Sequence, residues 1–143
     1  MLLLVVLLYL CLQFMEDLQV MYFGWIHIII ILIEIKEQNQ QVTIVGAQPA
    51  DGSSIPGIRK WAPAYVPPIR SKAIIDQIEE VTQAEAEDMA RRLAREEGLF
   101  CGPSAAGACV IALRIAEQLE QATVVFIVCD RGDRYLSTGL FPG

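Results

Sequence analysis

The chain has 143 residues, 54% of them hydrophobic and 20% charged, with a formal net charge of −6. An acidic balance without a basic run excludes nucleic acid as the main partner, because phosphate neutralisation needs clustered Lys and Arg. One His and four Cys with no CxxC pair exclude a His-rich metal site and a structural zinc site. The cysteine spacing suggests no disulfide framework, and reduced thiols in a cytosol are the simpler reading.

The mean hydropathy of +0.42 hides a split. Residues 1–35 hold no Lys or Arg, and their only charges are Glu16, Asp17 and Glu34. Residues 36–143 carry all eleven basic residues against fourteen acidic ones and read as an ordinary globular composition. Two apolar runs fill the start, Met1 to Met15 and Val20 to Ile33. Neither reaches the roughly 18–20 apolar residues of a clean membrane span, and a helix through both would bury Glu16 and Asp17 in the apolar stretch. A signal peptide would need a basic n-region and a small-residue cleavage site, and neither is present. Ile28 to Ile33 follows neither helical nor alternating periodicity. Three readings stand for this leader: a segment from altered translation or gene disruption, a membrane anchor, or a native strand and helix buried in a larger assembly.

Val42 to Gly46 is a β-branched run ending at Gly and predicts a buried strand. Gln48 to Pro68 carries five prolines with Gly52 and Gly57 and predicts a long loop, a kind of segment that is often functional. Ile74, Ile75, Ile78 and Val81, with acidic residues between them, fit a strand or a short helix and are read as a strand. Thr82-Gln83-Ala84-Glu85 has capping-box form. Ala86, Met89, Ala90, Leu93 and Ala94 then recur at helical spacing, and Gly98 supplies the stop. A second, mostly apolar helix begins near Ser104. Thr123 to Val128 is continuous and β-branched, as expected of a strand covered on both faces. Strand, loop, strand, helix, helix, strand is an α/β order.

Three segments could carry chemistry. Cys101 to Ala108 opens a helix with small residues, where free amides favour an anion; the plain alternative is that Ser104 is an N-cap and the small residues allow tight packing. The stretch nearly matches the nucleophile elbow G-x-S-x-G, but Ala106 takes the last Gly position and no His follows Ser104, so a serine hydrolase is rejected. Cys129 to Thr138 directly follows a strand, where ligands of open α/β sheets sit; the alternative is a charged surface turn with weak local ion pairs. Its Arg-Gly-Asp triplet alone carries little information. In Ser53 to Trp61, Arg59 could bind an anion bidentately or be a solvated loop cation.

Taken together, Val42 to Gln48, Gly52-Ser53-Ser54-Ile55-Pro56-Gly57-Ile58-Arg59, Phe100-Cys101-Gly102-Pro103-Ser104 and Cys129-Asp130-Arg131-Gly132-Asp133-Arg134-Tyr135-Leu136-Ser137-Thr138 resemble the C-terminal part of the cysteine synthases. The Cys129 to Thr138 run resembles the B-type branch. The likeness covers about Lys36 to Phe141. It implies a partial domain of the fold type II pyridoxal-phosphate-dependent enzymes, a mostly parallel sheet with flanking helices, behind an unrelated apolar segment over 1–35. The family function it implies is replacement of the acetoxy group of O-acetylserine, released as acetate, by sulfur from sulfide or thiosulfate, in a cytoplasmic homodimer. By resemblance, Ser104 contacts the cofactor's pyridine nitrogen. A neutral hydroxyl there weakens the electron sink, which suits elimination and replacement. Arg59 and Gly57 belong to the substrate loop, and Cys129 faces the site.

Pro103, Ala105 and Ala106 depart from the family pattern, as does what is missing. The family's Schiff-base lysine, its substrate-carboxylate loop and its Gly/Thr-rich phosphate loop have no counterpart. Lys36, Lys60 and Lys72 are the only lysines, and none stands at the family's position. Residues 36–143 are thus expected to be the C-terminal portion of such an enzyme, without covalently held cofactor or a catalytic residue. The alternative is a non-enzymatic remnant that binds a partner, or that contacts a membrane through residues 1–33.

Overall fold

The computed structural model describes residues 2–8, 31–60 and 75–142. Their elements are strand β1 (Leu2–Leu8), a helix over 31–38 (α1), β2 (Thr43–Pro49), β3 (Gln77–Val81), α2 (Gln83–Glu96), α3 (Pro103–Ala116), β4 (Ala122–Phe126) and a 3-10 segment over Gly132–Thr138. The four strands form one parallel sheet in the order β3-β2-β1-β4.

The sheet takes in part of the apolar start. Val5 lies opposite Ile44 of β2 on one side and Val125 of β4 on the other. An uncharged run such as Leu2–Leu8 is what a central strand of a parallel sheet requires. The stretch from Tyr9 to Ile30, with Cys11, His27 and the first half of the Ile-rich run, falls outside the described residues.

Chain direction across the sheet dictates the layers. From β1 to β2 the chain moves one way, and from β3 to β4 it moves the other. Two right-handed crossovers therefore put their helices on opposite faces. Side-chain packing agrees. Ile44 is buried against Leu32 of α1, whereas its neighbour Val45 packs with Ala108, Ile111 and Ala112 of α3. Asp76 fastens α1 to the starts of β2 and β3: its carboxylate lies 2.7 Å from Lys36 Nζ and accepts from the Ile44 amide at 2.7 Å. Burial works against this charge, yet the Lys36 ammonium and the Ile44 amide together hold the carboxyl below its usual range.

Helix α2 starts and stops where the spacing predicts. The Thr82 hydroxyl accepts from the Glu85 amide, and the Glu85 carboxylate accepts from the Thr82 amide at 2.9 Å. Ala86, Met89, Ala90 and Leu93 are its buried face, and Gly98, at φ +67°, follows the cap in the left-handed conformation. Arg114 of α3 reaches back to the same corner, donating to the Glu80 carbonyl at 2.9 Å and pairing with Glu85.

Three expectations change. Strand β2 runs on to Pro49, so the loop begins at Ala50. The ladder to β3 continues to Pro49 opposite Val81, past the last β1 partner at Ala47, where a missing N–H is tolerated. Strand β3 begins at Gln77, and Ile74 lies outside the described residues. Strand β4 is not covered on both faces: Val124 and Phe126 pack towards α3, but Thr123 is exposed and Val125 is 42% exposed. β4 ends the sheet, and α1 covers β2 rather than β4. A continuous β-branched run cannot distinguish that position from a central one. No helix among the described residues is long and apolar enough to cross a membrane.

The Glu85 carboxyl is held at about 2, first by the Thr82 hydroxyl, then by the Thr82 amide and Arg114. A folded value below the unfolded one, about 4.3, means that this contribution is complete above about pH 4.5 and is lost as pH falls towards 2. Glu85→Gln is expected to lower the neutral-pH Tm by about 4 °C and to flatten its decline below pH 4.5, read by thermal melts between pH 7 and 2.5.

Candidate functional site

The site forms where α3 begins, at the carboxyl ends of β2 and β4. After β4 the chain turns to pair with the residues before α3. Cys101 and Arg131 form an antiparallel bridge, the Gly102 amide donates to the Asp130 carbonyl at 3.3 Å, and the Gly132 amide donates to the Phe100 carbonyl at 3.1 Å. From the other side, the loop after β2 brings Gly57 onto Ser104.

Each of these approaches requires a glycine. A Cβ on Gly57 would lie 2.7 Å from Ser104 Cβ and 2.8 Å from its Oγ, and Gly57 has φ +92°, a conformation that disfavours any side chain. A Cβ on Gly102 would fall inside the Asp130 carboxylate, and one on Gly132 would lie 2.6 Å from the Phe100 ring. Phe100 also packs against Phe141, with ring centroids 4.7 Å apart and the rings tilted.

Ser104 is not the cap of α3. Gly102 takes that place without a side-chain bond, Pro103 occupies the first turn, and Ser104 follows at 2% exposure. Proline at the first helical position displaces the serine into the helix. The small residues also pack tightly: Ala105 and Ala106 are fully buried, and Gly107 lies against Ile58, Val81 and Ala86. The reading of tight helix packing therefore holds for this stretch, alongside the buried hydroxyl.

Asp130 closes the corner. Tyr135 donates its hydroxyl to Asp130 Oδ2 at 2.5 Å, while Oδ1 is buried with no hydrogen-bond partner among the described residues. Burial pushes the Tyr135 phenol well above its usual range, reinforced by the hydrogen bond to Asp130. Cys129 is half-buried against the cluster that contains Ile55 and Ile58, its sulfur 3.8 Å from the Ile127 carbonyl. Burial and the neighbouring Asp130 push its thiol up to about 12, so it is no nucleophile at neutral pH. Cys101, Cys109 and Cys129 are free thiols.

The structure thus brings Gly57 into contact with Ser104 and places Cys129 beside the same loop. Arg59 is exposed and makes no ion pair or hydrogen bond among the described residues. Arg131 forms a local pair with Asp133 at 3.3 Å, so the Arg-Gly-Asp triplet is an ordinary charged turn. The Asp130–Tyr135 bond and the roles of Gly102 and Gly132 were not readable in advance. The two glycine contacts join segments about thirty residues apart, and the Asp130–Tyr135 bond depends on how the chain turns after β4.

Both described lysines are engaged in ion pairs. Lys36 is bound to Asp76 at the starts of the strands, a strand length of about 20 Å from their carboxyl ends. Lys60 is held by Asp51 at 2.8 Å and Glu80 at 3.0 Å, which raise the affinity of its ammonium for the proton. No group of residues that could hold a metal ion occurs among the described residues.

Gly102→Ala is expected to cost about 2 kcal/mol through the forced displacement of Asp130. Adding Asp130→Ala should recover part of that loss, so a denaturant double-mutant cycle is expected to show coupling between the two positions. Additive effects would contradict the contact.

The family profile described as pyridoxal-phosphate dependent enzyme matches residues 27–130. Cysteine synthase B of Pseudomonas aeruginosa is 54% identical over 107 residues, covering 75% of this chain and 36% of that protein. Cysteine synthase B of Escherichia coli is 53% identical over 106 residues, covering 74% and 35%. The crystal structure of an O-ureido-L-serine synthase superposes on 99% of this chain and 43% of its own, with a TM-score of 0.72 and 28% identity. The chain spans about a third of the length of the two cysteine synthases.

Pyridoxal phosphate is the cofactor of this family. The described residues fit one edge of it: the Ser104 hydroxyl, at a helix start beneath a glycine, suits a pyridine nitrogen. They do not fit its anchor, because both described lysines are engaged in ion pairs and Lys36 stands at the wrong end of the sheet. By its parallel sheet, its match over residues 27–130 and its likeness to the cysteine synthases B, the chain belongs to the pyridoxal-phosphate dependent enzyme family.

Proposed function

We propose that this chain carries the ring-nitrogen and sulfur-donor side of a cysteine-synthase-type site, and that its 143 residues alone do not catalyse. The observation that carries this reading is the contrast between Ser104 and the lysines. Ser104 is 2% exposed beneath Gly57, where a cofactor ring edge would meet it, while Lys36 and Lys60 are fixed in ion pairs. The reaction class is replacement of the β-acetoxy group of O-acetylserine, which leaves as acetate, by a sulfur nucleophile. In it Arg59, exposed on the loop that reaches Ser104, receives the anionic sulfur donor, sulfide or thiosulfate. Cys129 lines the site as a packed neutral thiol rather than as a nucleophile. Chemistry at the substrate's α-carbon needs a lysine amine near the cofactor, both as anchor and as base. The three free thiols suit a reducing cytoplasm.

The purified chain, given pyridoxal phosphate, O-acetylserine and sulfide, is expected to form no cysteine above the rate without protein. Lys36→Ala and Lys60→Ala should leave that result unchanged. Robust cysteine formation by the chain alone would overturn the reading.

A further inference from the structure

The loop that follows β2 is fastened by three kinds of contact. Its backbone folds on itself and on β3: the Ala50 amide donates to the Val81 carbonyl at 2.9 Å, Ser53 to Ala50 at 2.9 Å and Ile58 to Ile55 at 3.0 Å. Two apolar side chains, Ile55 and Ile58, are buried in the core beside Val81 and Ala108. The third contact is ionic. Lys60 Nζ donates to Asp51 Oδ1 at 2.8 Å, nine residues back, and to Glu80 Oε1 on β3 at 3.0 Å, twenty residues on. The Gln48 amide holds the same Glu80 oxygen at 2.9 Å. One ammonium thus joins the end of the loop both to its own start and to the sheet.

Arg59 stands between the last apolar anchor, Ile58, and this clasp. Its backbone is pinned from both sides, while its guanidinium is exposed and makes no ion pair or hydrogen bond among the described residues. A free cation on a tethered backbone receives an anion at a lower ordering cost than one on a loose loop. We propose that Lys60 is a positioning residue for Arg59, acting through its clasp on Asp51 and Glu80 rather than by touching the anion itself. The proposal rests on the reading of Arg59 as receiver of the sulfur donor, and deepens it by naming what holds that residue in place. Exposed ion pairs are individually weak. Here their effect is local, because beyond Ile58 the clasp is the remaining tether of the loop among the described residues.

The test uses the full 143-residue chain. Hydrogen exchange is read at the Ser53 and Ile58 amides, the two donors inside the loop, and sodium thiosulfate is titrated against the Arg59 side-chain N–H signal. Lys60→Ala, and separately Asp51→Asn combined with Glu80→Gln, are expected to speed exchange at Ile58 about threefold or more. The amides of α2 should keep their rates, which controls for folding. Thiosulfate binding should weaken by a similar factor in both variants, and Lys60→Arg should retain both properties. The carboxylate variant separates positioning from charge. Removing two negative charges by itself favours an anion, so weaker binding there reports a loosened loop. Unchanged Ile58 exchange in either variant, or tighter thiosulfate binding in the carboxylate variant, would overturn the proposal. If the loop loosens as expected while thiosulfate leaves the Arg59 signal of the unaltered chain unmoved, the reading of Arg59 as donor receiver fails and the clasp stands.

Discussion

The close approach of three glycines to the head of α3 governs the rest of the molecule. Gly57 rests on Ser104, Gly102 on the Asp130 carboxylate and Gly132 on the Phe100 ring. At each point two backbones or a backbone and a side chain meet at a distance that leaves no room for a methyl group. These contacts gather three chain segments, from β2, before α3 and after β4, at the carboxyl ends of the strands. Ser104 is buried beneath Gly57, and Cys129 packs against Ile55 and Ile58 of the same loop. The Asp130–Tyr135 bond then locks the segment after β4 in place.

The opposite end of the sheet is held by different means. There Lys36, Asp76 and the Ile44 amide form a partly buried cluster that ties α1 to the strand starts. A lysine used in this way cannot also serve at the other end of a seven-residue strand. Charge is also apportioned between the edges: β3 is shielded by Glu79, Glu80 and Lys60, and β4 is bare.

Much of this was legible in the residues themselves. The capping box at Thr82 and Glu85, the apolar face of α2 and the stop at Gly98 are local signals, and each appears where its spacing places it. The α/β order and the likeness carried by Gly57, Arg59, Ser104 and Cys129 pointed to the family before any coordinates. What was not legible depends on partners distant in sequence. The exposure of Val125 follows from β4 ending the sheet, and its β-branched run reads the same in either position. The entry of Leu2–Leu8 into the sheet centre depends on pairing with β2 and β4, over thirty and over a hundred residues away. Proline at position 103 shifts the helix start by one turn position, enough to turn a supposed cap serine into a buried one.

The proposed function rests on the claim that neither Lys36 nor Lys60 meets a cofactor seated at Ser104. Borohydride reduction of the chain incubated with pyridoxal phosphate, followed by peptide mapping, tests it directly. The prediction is weak labelling scattered over Lys36, Lys60 and Lys72 and unaffected by Ser104→Ala. Stoichiometric labelling of one lysine, abolished by Ser104→Ala, would contradict it.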